Sequence, residues 1–318
     1  MNTKRWSTRP RGTLALCATA VLLSASCTEY DYSNLRGHDV YLQPENDVVA
    51  DLLFVIDNSA SMAEEQALLG ASFQAFVEAI EGTSADLQLG ITTTDMDTDD
   101  AGLLTSELMR EDTADLASAF LTAATVGTDG SRYEKGFEAA LLATQPDTNP
   151  ELLREGATLH VIFVSDEDDQ SDIAVADTLA ELESRADIVF AHAIVGDLPG
   201  GCTSGSSAAD AGERYADLSE RTEGRRDSIC NDSHEEILQR IGLDAAGLAD
   251  TFNLSNVPIE DTLEVWVDGV QIFERETDGW LYDVGENAVV FGGRAVPRAG
   301  MEVVIDYELW ADSQEETE

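Results

Sequence analysis

The sequence predicts a doubly wound α/β domain with a mostly parallel sheet, followed by a small antiparallel β module. Three observations carry this. Leu52-Leu53-Phe54-Val55-Ile56 and Leu159 to Val164 are continuous apolar runs of strand length, as expected of strands buried on both faces. Helical patterns alternate with them, which is the grammar of a parallel sheet with crossover helices. After about residue 250 the pattern changes to short alternating strands separated by Gly, Asp and Pro.

In chain order, the first apolar strand ends at Asp57. Residues 61–81 then repeat apolar positions at helical spacing, among them Met62, Leu69, Phe73, Phe76 and Ile80. Leu87, Leu89 and Ile91 alternate as a strand, and residues 114–125 read as a helix. Ser131-Arg132-Tyr133-Glu134 has the form of a capping box opening a helix through Ala143. The second fully apolar strand also ends just before an acid, Asp166. A helix over 173–186, a strand from Ile188 to Val195 and a helix over 234–248 complete the domain. Beyond it, Leu263 to Val267 and Val270 to Phe273 flank the turn Asp268-Gly269, a hairpin signal. Trp280 to Tyr282, Ala288 to Phe291 and Met301 to Leu309 are further strands. The expected organisation is a leader over 1–26, a tether over 27–46, the α/β domain over 47–249, the β module over 250–311 and an acidic tail over 312–318.

Charge excludes several functions. The 318 residues carry 63 Asp+Glu against 18 Lys+Arg, a net of −45. Such a surface repels phosphate backbones, so nucleic acid is not the expected partner, and no basic patch exists to bind an anionic membrane. It suits cations, positively charged partners or a salty exterior. At 43% hydrophobic residues the chain still has ample material for a core.

The N-terminus reads as an export signal. Lys4, Arg5, Arg9 and Arg11 precede an apolar run from Leu14 to Ala25, too short to span a bilayer. The run closes on Leu23-Ser24-Ala25-Ser26-Cys27, which resembles a bacterial lipobox with Ser24 as its departure. Cys27 is then the lipidated residue, and the expected location is the bacterial envelope, at the outer membrane or cell surface, held by a lipid anchor rather than a span. Cys17 lies inside the leader. Cys202 and Cys230 remain as an even pair in an oxidising compartment and are read as one disulfide.

Chemistry concentrates at Asp57-Asn58-Ser59-Ala60-Ser61-Met62, at the carboxyl end of the first buried strand. A carboxylate and two hydroxyls at alternate positions of such a turn can converge on one hard cation. Alone, the same residues also describe a helix cap; Asp166, ending a second buried strand, favours the metal. Ligands on open α/β sheets bind beyond these strand ends. Together the residues resemble the metal-ion-dependent adhesion site of von Willebrand factor type A domains, over roughly residues 47–249.

The resemblance implies a Rossmann-like fold and two further loops. Asp166 matches the third-loop acid, although Glu167, Asp168 and Asp169 follow it where Gly is usual. Ser131 matches the second-loop hydroxyl, with Gly136 and Phe137 at the expected offsets, and Thr128 is its rival. The implied metal ligands are the hydroxyls of Ser59, Ser61 and Ser131, with Asp57 and Asp166 acting partly through water. Mg²⁺ suits this set best; Ca²⁺ and Mn²⁺ accept the same oxygens. Family adhesion domains bind an acidic side chain of a protein partner at the open position. Arg214-Tyr215 and Ser228-Ile229-Cys230 look like the closing part of an exported bacterial subgroup, whose paired cysteines clamp the last helix and whose β extension resembles the strands around Trp280 and Tyr282.

The remaining motifs are weaker. Asp95 to Asp100 has the rhythm of a calcium loop but lacks its Gly, and its closing acid falls late at Glu107, so it reads as an acidic loop beside the site. His160 and His192 lie in apolar strands and read as core; His38 and His234 are isolated. No nucleophile elbow, phosphate loop or zinc spacing occurs. The expectation is therefore a non-enzymatic, surface-anchored binding protein. Its alternative is a structural envelope protein in which the metal only stabilises the fold and the β module mediates assembly.

Overall fold

The computed structural model describes residues 35–45, 48–81, 83–204 and 207–309. The leader 1–26, Cys17, Cys27 and the tail 312–318 fall outside them. Among the described residues no helix is long and apolar enough to cross a membrane.

The chain opens with β1 (Arg36–Leu42), β2 (Val49–Ile56), α1 (Ala63–Ser72), α2 (Gln74–Ile80), β3 (Asp86–Thr93) and β4 (Met109–Arg110). It continues through α3 (Leu116–Ala124), α4 (Gly136–Ala143), β5 (Thr158–Ser165), α5 (Val175–Glu183), β6 (Val189–Val195), β7 (Cys202–Ser204) and β8 (Ser207–Ala209). Then come α6 (Glu213–Arg221), β9 (Arg226–Ser228), α7 (Glu235–Ala245), β10 (Thr251–Asn253), β11 (Glu264–Val267), β12 (Val270–Ile272), β13 (Gly279–Asp283), β14 (Ala288–Gly292) and β15 (Glu302–Glu308).

The central sheet runs β4-β3-β2-β5-β6-β9. All its neighbours are parallel except the β3–β4 edge pair. Alternation along β2 divides the core. Leu52, Phe54 and Ile56 pack with Phe73, Phe76 and Phe120 on one face. Leu53 and Val55 pack with Phe137, Phe163 and Tyr215 on the other. Burying each such side chain contributes about 1.5–3 kcal/mol, which is why β2 reads as an unbroken apolar run.

The helix expected over 61–81 is divided. At Phe73 the backbone N–H turns to Gly70 O, and the fully buried ring packs against Phe54, Phe76 and Phe120. Burial of this ring outweighs continuity of the helix.

The module contains two small sheets, β1-β15-β11-β12 and β10-β14-β13. The expected tether is corrected here: residues 36–42 form β1, paired antiparallel with the whole of β15 from Arg36↔Glu308 to Leu42↔Glu302. Its alternation of Gly37 and Asp39 inward with Val40 and Leu42 outward carries too little apolar content to be recognised alone. Asp39 is buried but satisfied, accepting from Ser255 N, Ser255 Oγ and Tyr307 Oη. These donors hold its carboxyl below the usual carboxylate range, against the desolvation that is the largest single influence. Asp268 (φ 47°) and Gly269 (φ 75°) form the expected β11–β12 turn.

Cys202 and Cys230 form a disulfide across 28 residues, joining β7 to the loop before α7. Closing that loop is worth about 3–4 kcal/mol in the chain-entropy model.

His160 and His192 are stacked in the sheet, Nδ1 to Nε2 at 3.0 Å, and His192 Nδ1 accepts from Arg225 N–H. Burial pulls both rings down to about 3, His192 and Arg225 adding to the effect on His160 and His192 respectively. Their folded values lie below the unfolded value near 6.5, so the stability they contribute is complete above pH 6.5. It is lost as pH falls toward 3. By pH 5 each ring costs about 2 kcal/mol, at about 1.4 kcal/mol per pH unit. A His160→Gln/His192→Gln double variant should lose correspondingly less stability between pH 7 and pH 5 in urea melts. Parallel pH profiles would refute this.

Candidate metal centre

Because β2 and β5 are parallel neighbours, with Ile56 opposite Val164, their carboxyl ends emerge side by side. Asp57 N–H donates to Val164 O at 2.9 Å. Asp57 and Asp166, 109 positions apart in the chain, thereby come to one edge of the sheet. Asp57 is wholly buried, and Ser59 and Asp166 are each 5% exposed.

Asp57 organises the first loop. Oδ1 accepts from Ser59 N–H at 2.7 Å, and Oδ2 accepts from Ser165 Oγ at 2.7 Å. Ser59 Oγ and Ser61 Oγ approach to 3.1 Å, so the two hydroxyls converge. Gln66 Nε2 donates to Asp57 O and Gly127 O, tying this loop to the second. Gly130 presses against the first loop, donating to Asn58 O; a Cβ there would lie 2.3 Å from Asn58 Oδ1. A side chain at 130 would therefore displace the Asn58 amide.

The third loop is held from outside the site. Arg214 donates its backbone N–H to Asp168 Oδ1 and its guanidinium to Ser171 O and Ile173 O, with Asp169 Oδ2 at 3.2 Å. Asp169 Oδ1 and Ser171 Oγ in turn accept the backbone N–H groups of Phe137 and Glu138 at the start of α4. The run of acids after Asp166 therefore caps a helix and binds an arginine.

Ser131 and Thr128 lie on the second loop, both half-buried. Ser131 Oγ donates to Asp97 Oδ2 at 2.9 Å and accepts from Tyr133 N–H at 3.1 Å. The acidic loop at 95–100 is thus fastened to the second loop beside the site. The capping box is corrected: α4 begins at Gly136, and Glu134 turns inward.

Glu134 is the residue that sequence reasoning missed. It is completely buried, and Oε2 accepts from Thr94 Oγ1. Burial, reinforced by the adjacent Asp57 carboxylate, pushes Glu134 up to about 9. Burial likewise raises Asp166 to about 6, with Asp57, Glu65 and Glu167 adding to the rise and Ser61 opposing it. Glu134 Oε1, Asp166 Oδ1, Glu65 Oε2 and Tyr215 Oη are buried without a hydrogen-bond partner. No local signal marks it, because the start of α4 at Gly136, which removes Glu134 from the N3 position, is set by the fold.

A buried carboxylate with a donor-less oxygen, Asp166, beside the paired hydroxyls of Ser59 and Ser61 is the donor chemistry of a hard divalent cation. Among the described residues no three His, Cys, Asp or Glu side chains alone gather into a metal cage, so the set that fits mixes carboxylate with hydroxyl.

Strand order β4-β3-β2-β5-β6-β9, with the Asp-x-Ser-x-Ser turn and Asp166 at the carboxyl ends of its central strands, decides the architecture. The fold is von Willebrand factor type A-like.

No protein-family model and no curated protein matches the chain. Solved structures similar to it include the pilus adhesin SpaC of Lactobacillus rhamnosus GG, at 12% identity over 85% of this chain and 41% of the adhesin, TM-score 0.47. The chain thus spans well under half of that adhesin. A von Willebrand factor type A protein from Catenulispora acidiphila is 12% identical over 88% of this chain and 66% of its own, TM-score 0.37. Proximal thread matrix protein 1 from the mussel byssus, with a zinc-occupied MIDAS motif, is 14% identical over 66% of this chain and 48% of its own, TM-score 0.40. At such values the fold assignment rests on this chain's own strand order and not on these likenesses.

Proposed function

We propose that this von Willebrand factor type A-like protein is an exported, non-enzymatic binding protein, lipid-anchored through Cys27, whose cation centre engages a protein partner. The observation that carries the reading is the approach of Ser59 Oγ and Ser61 Oγ to each other beside Asp166, whose Oδ1 is buried without a donor at the carboxyl edge of the sheet. A bound divalent cation supplies a Lewis-acidic point for a partner's oxygen. The chain's own part is to hold it: Asp57 orients Ser59 through the backbone, Gln66 joins two loops, and Arg214 fixes the third.

Absence of catalysis belongs to the same proposal. A serine nucleophile needs a base beside it. His160 and His192 instead engage each other within the sheet, and His38 pairs with Asp306 in the module. The test is capture of envelope proteins by the immobilised full chain in Mg²⁺ or Ca²⁺, with and without EDTA. Capture lost in EDTA and restored by added cation is the expected result; capture indifferent to EDTA overturns it.

A second reading assigns the work to the β module. It is favoured by the exposed Val270, Phe273, Leu281 and Val284 on that module, and by a groove between it, α2 and α7 lined by Glu78, Glu236, Arg240, Arg275 and Arg294. EDTA-resistant capture abolished by Phe273→Ser would support it.

A further inference from the structure

We propose that Glu134 is a direct ligand of the cation, taking the second-loop place that the family resemblance assigns to Ser131. The proposal rests on the reading of this site as a cation centre and names its third donor loop.

Glu134 projects from the second loop into the space beside Asp57, within hydrogen-bonding reach of that carboxylate, and has no exposed surface. Only one of its oxygens is satisfied. Thr94 Oγ1 donates to Oε2, whereas Oε1 has no donor. Glutamine would preserve the bond with Thr94 and bring no charge, so the bond alone does not account for an acid here. Two carboxylates buried side by side are strongly unfavourable unless a proton or a cation lies between them. A hard cation also supplies the partner that Glu134 Oε1 lacks.

The position of Glu134 is built from every side. Gln170 N–H, on the third loop, donates to Glu134 O at 2.6 Å, and the next residue, Lys135, donates its N–H to Thr94 O at the exit of β3. Placement of this carboxyl thus depends on the third loop, which carries Asp166, and on the exit of β3. Ser131 is differently employed, its Oγ engaged with Asp97 and with Tyr133 N–H.

The assignment alters the chemistry of the centre. A carboxylate donor on the second loop brings more negative charge to the ion than a serine hydroxyl there would. More carboxylate donors favour Ca²⁺, which accepts six to eight oxygens in flexible geometry, over Mg²⁺, which retains water. The added charge also disfavours a further carboxylate from a partner, so the recognised group is a neutral oxygen, that of a hydroxyl or an amide.

Calorimetric titration of the full chain with Ca²⁺ alone and Mg²⁺ alone, alongside thermal melts, tests this. Glu134→Gln should weaken Ca²⁺ binding about tenfold or more and shrink the Ca²⁺-induced rise in Tm, with the metal-free Tm kept or raised. Ser131→Ala and Thr128→Ala should bind Ca²⁺ within about threefold of wild type. Glu134→Asp, which keeps the charge but withdraws it by one methylene, should fall between and gives a second reading if Glu134→Gln folds poorly. Wild-type affinity in Glu134→Gln, with loss in Ser131→Ala, overturns the assignment and leaves the cation centre standing. Failure of the wild-type chain to bind either ion overturns the centre itself.

Discussion

Arg154→Met should destabilise the protein by about 3–5 kcal/mol, the range for removing one partner of a buried ion pair. Arg154 sits in the loop before β5, at the amino-terminal end of the sheet and so at the opposite end from the candidate centre. Its backbone N–H donates to Asp51 Oδ2 and its Nε to Asp51 Oδ1, both at 2.6 Å. Asp51 is 1% exposed, in the interior of β2. Arg154 Nη2 also donates to Ala50 O and Asp86 O at 2.9 Å, stitching the starts of β2 and β3 together. Burial already pushes the Asp51 carboxyl up against the pull of Arg154, so the pair withstands desolvation only while both partners are present. The check is urea unfolding of Arg154→Met and of Arg154→Met/Asp51→Asn. The double variant should recover much of the loss, because asparagine keeps an acceptor for residue 154 N–H without the buried charge. A single-variant loss below about 1 kcal/mol would mean that the donors left to Asp51, residue 154 N–H and Gln88, suffice without the guanidinium.

Asp57→Asn should abolish the cation-induced rise in Tm and weaken cation binding by about a hundredfold or more, with the fold retained. The amide oxygen still accepts from Ser59 N–H or Ser165 Oγ, and the repulsion among Asp57, Glu134 and Asp166 is relieved. Asp57→Ala should lose the cation equally but also strand two donors, costing about 1–3 kcal/mol for each. The pair of variants separates function from folding: capture of a partner should fail in both, whereas metal-free stability should fall only in Asp57→Ala. Persisting cation response in Asp57→Asn would remove Asp57 from the centre.

The two variants also mark how much of the site was legible beforehand. Asp57, Ser59 and Ser61 follow one another in the chain, so local spacing and the end of an apolar run were enough to find them. Asp166 required a second strand end, which is still a local signal. Glu134 was misread because Ser131-Arg132-Tyr133-Glu134 has the spacing of a capping box. Helix capping depends on a start at residue 132, and α4 starts at Gly136. The start is displaced because Asp169 and Ser171, more than thirty residues away, supply the N-terminal acceptors instead. No local pattern contains that information. The same reason explains β1, whose pairing with β15 joins residues 260 or more positions apart and gives a polar segment a place in a sheet.

Continuous apolar runs, helical periodicity and Cys spacing are properties of neighbouring residues. They were sufficient to determine a parallel α/β sheet, a trailing antiparallel module, the Cys202–Cys230 bridge and a candidate site at the ends of two buried strands. Which oxygens meet, which serine is already engaged, and which acid is left buried without a donor depend on side chains from loops far apart in sequence. Only the tertiary structure decided those, because an unsatisfied carboxylate is defined by everything packed around it, and the chain order of its neighbours carries no record of that enclosure.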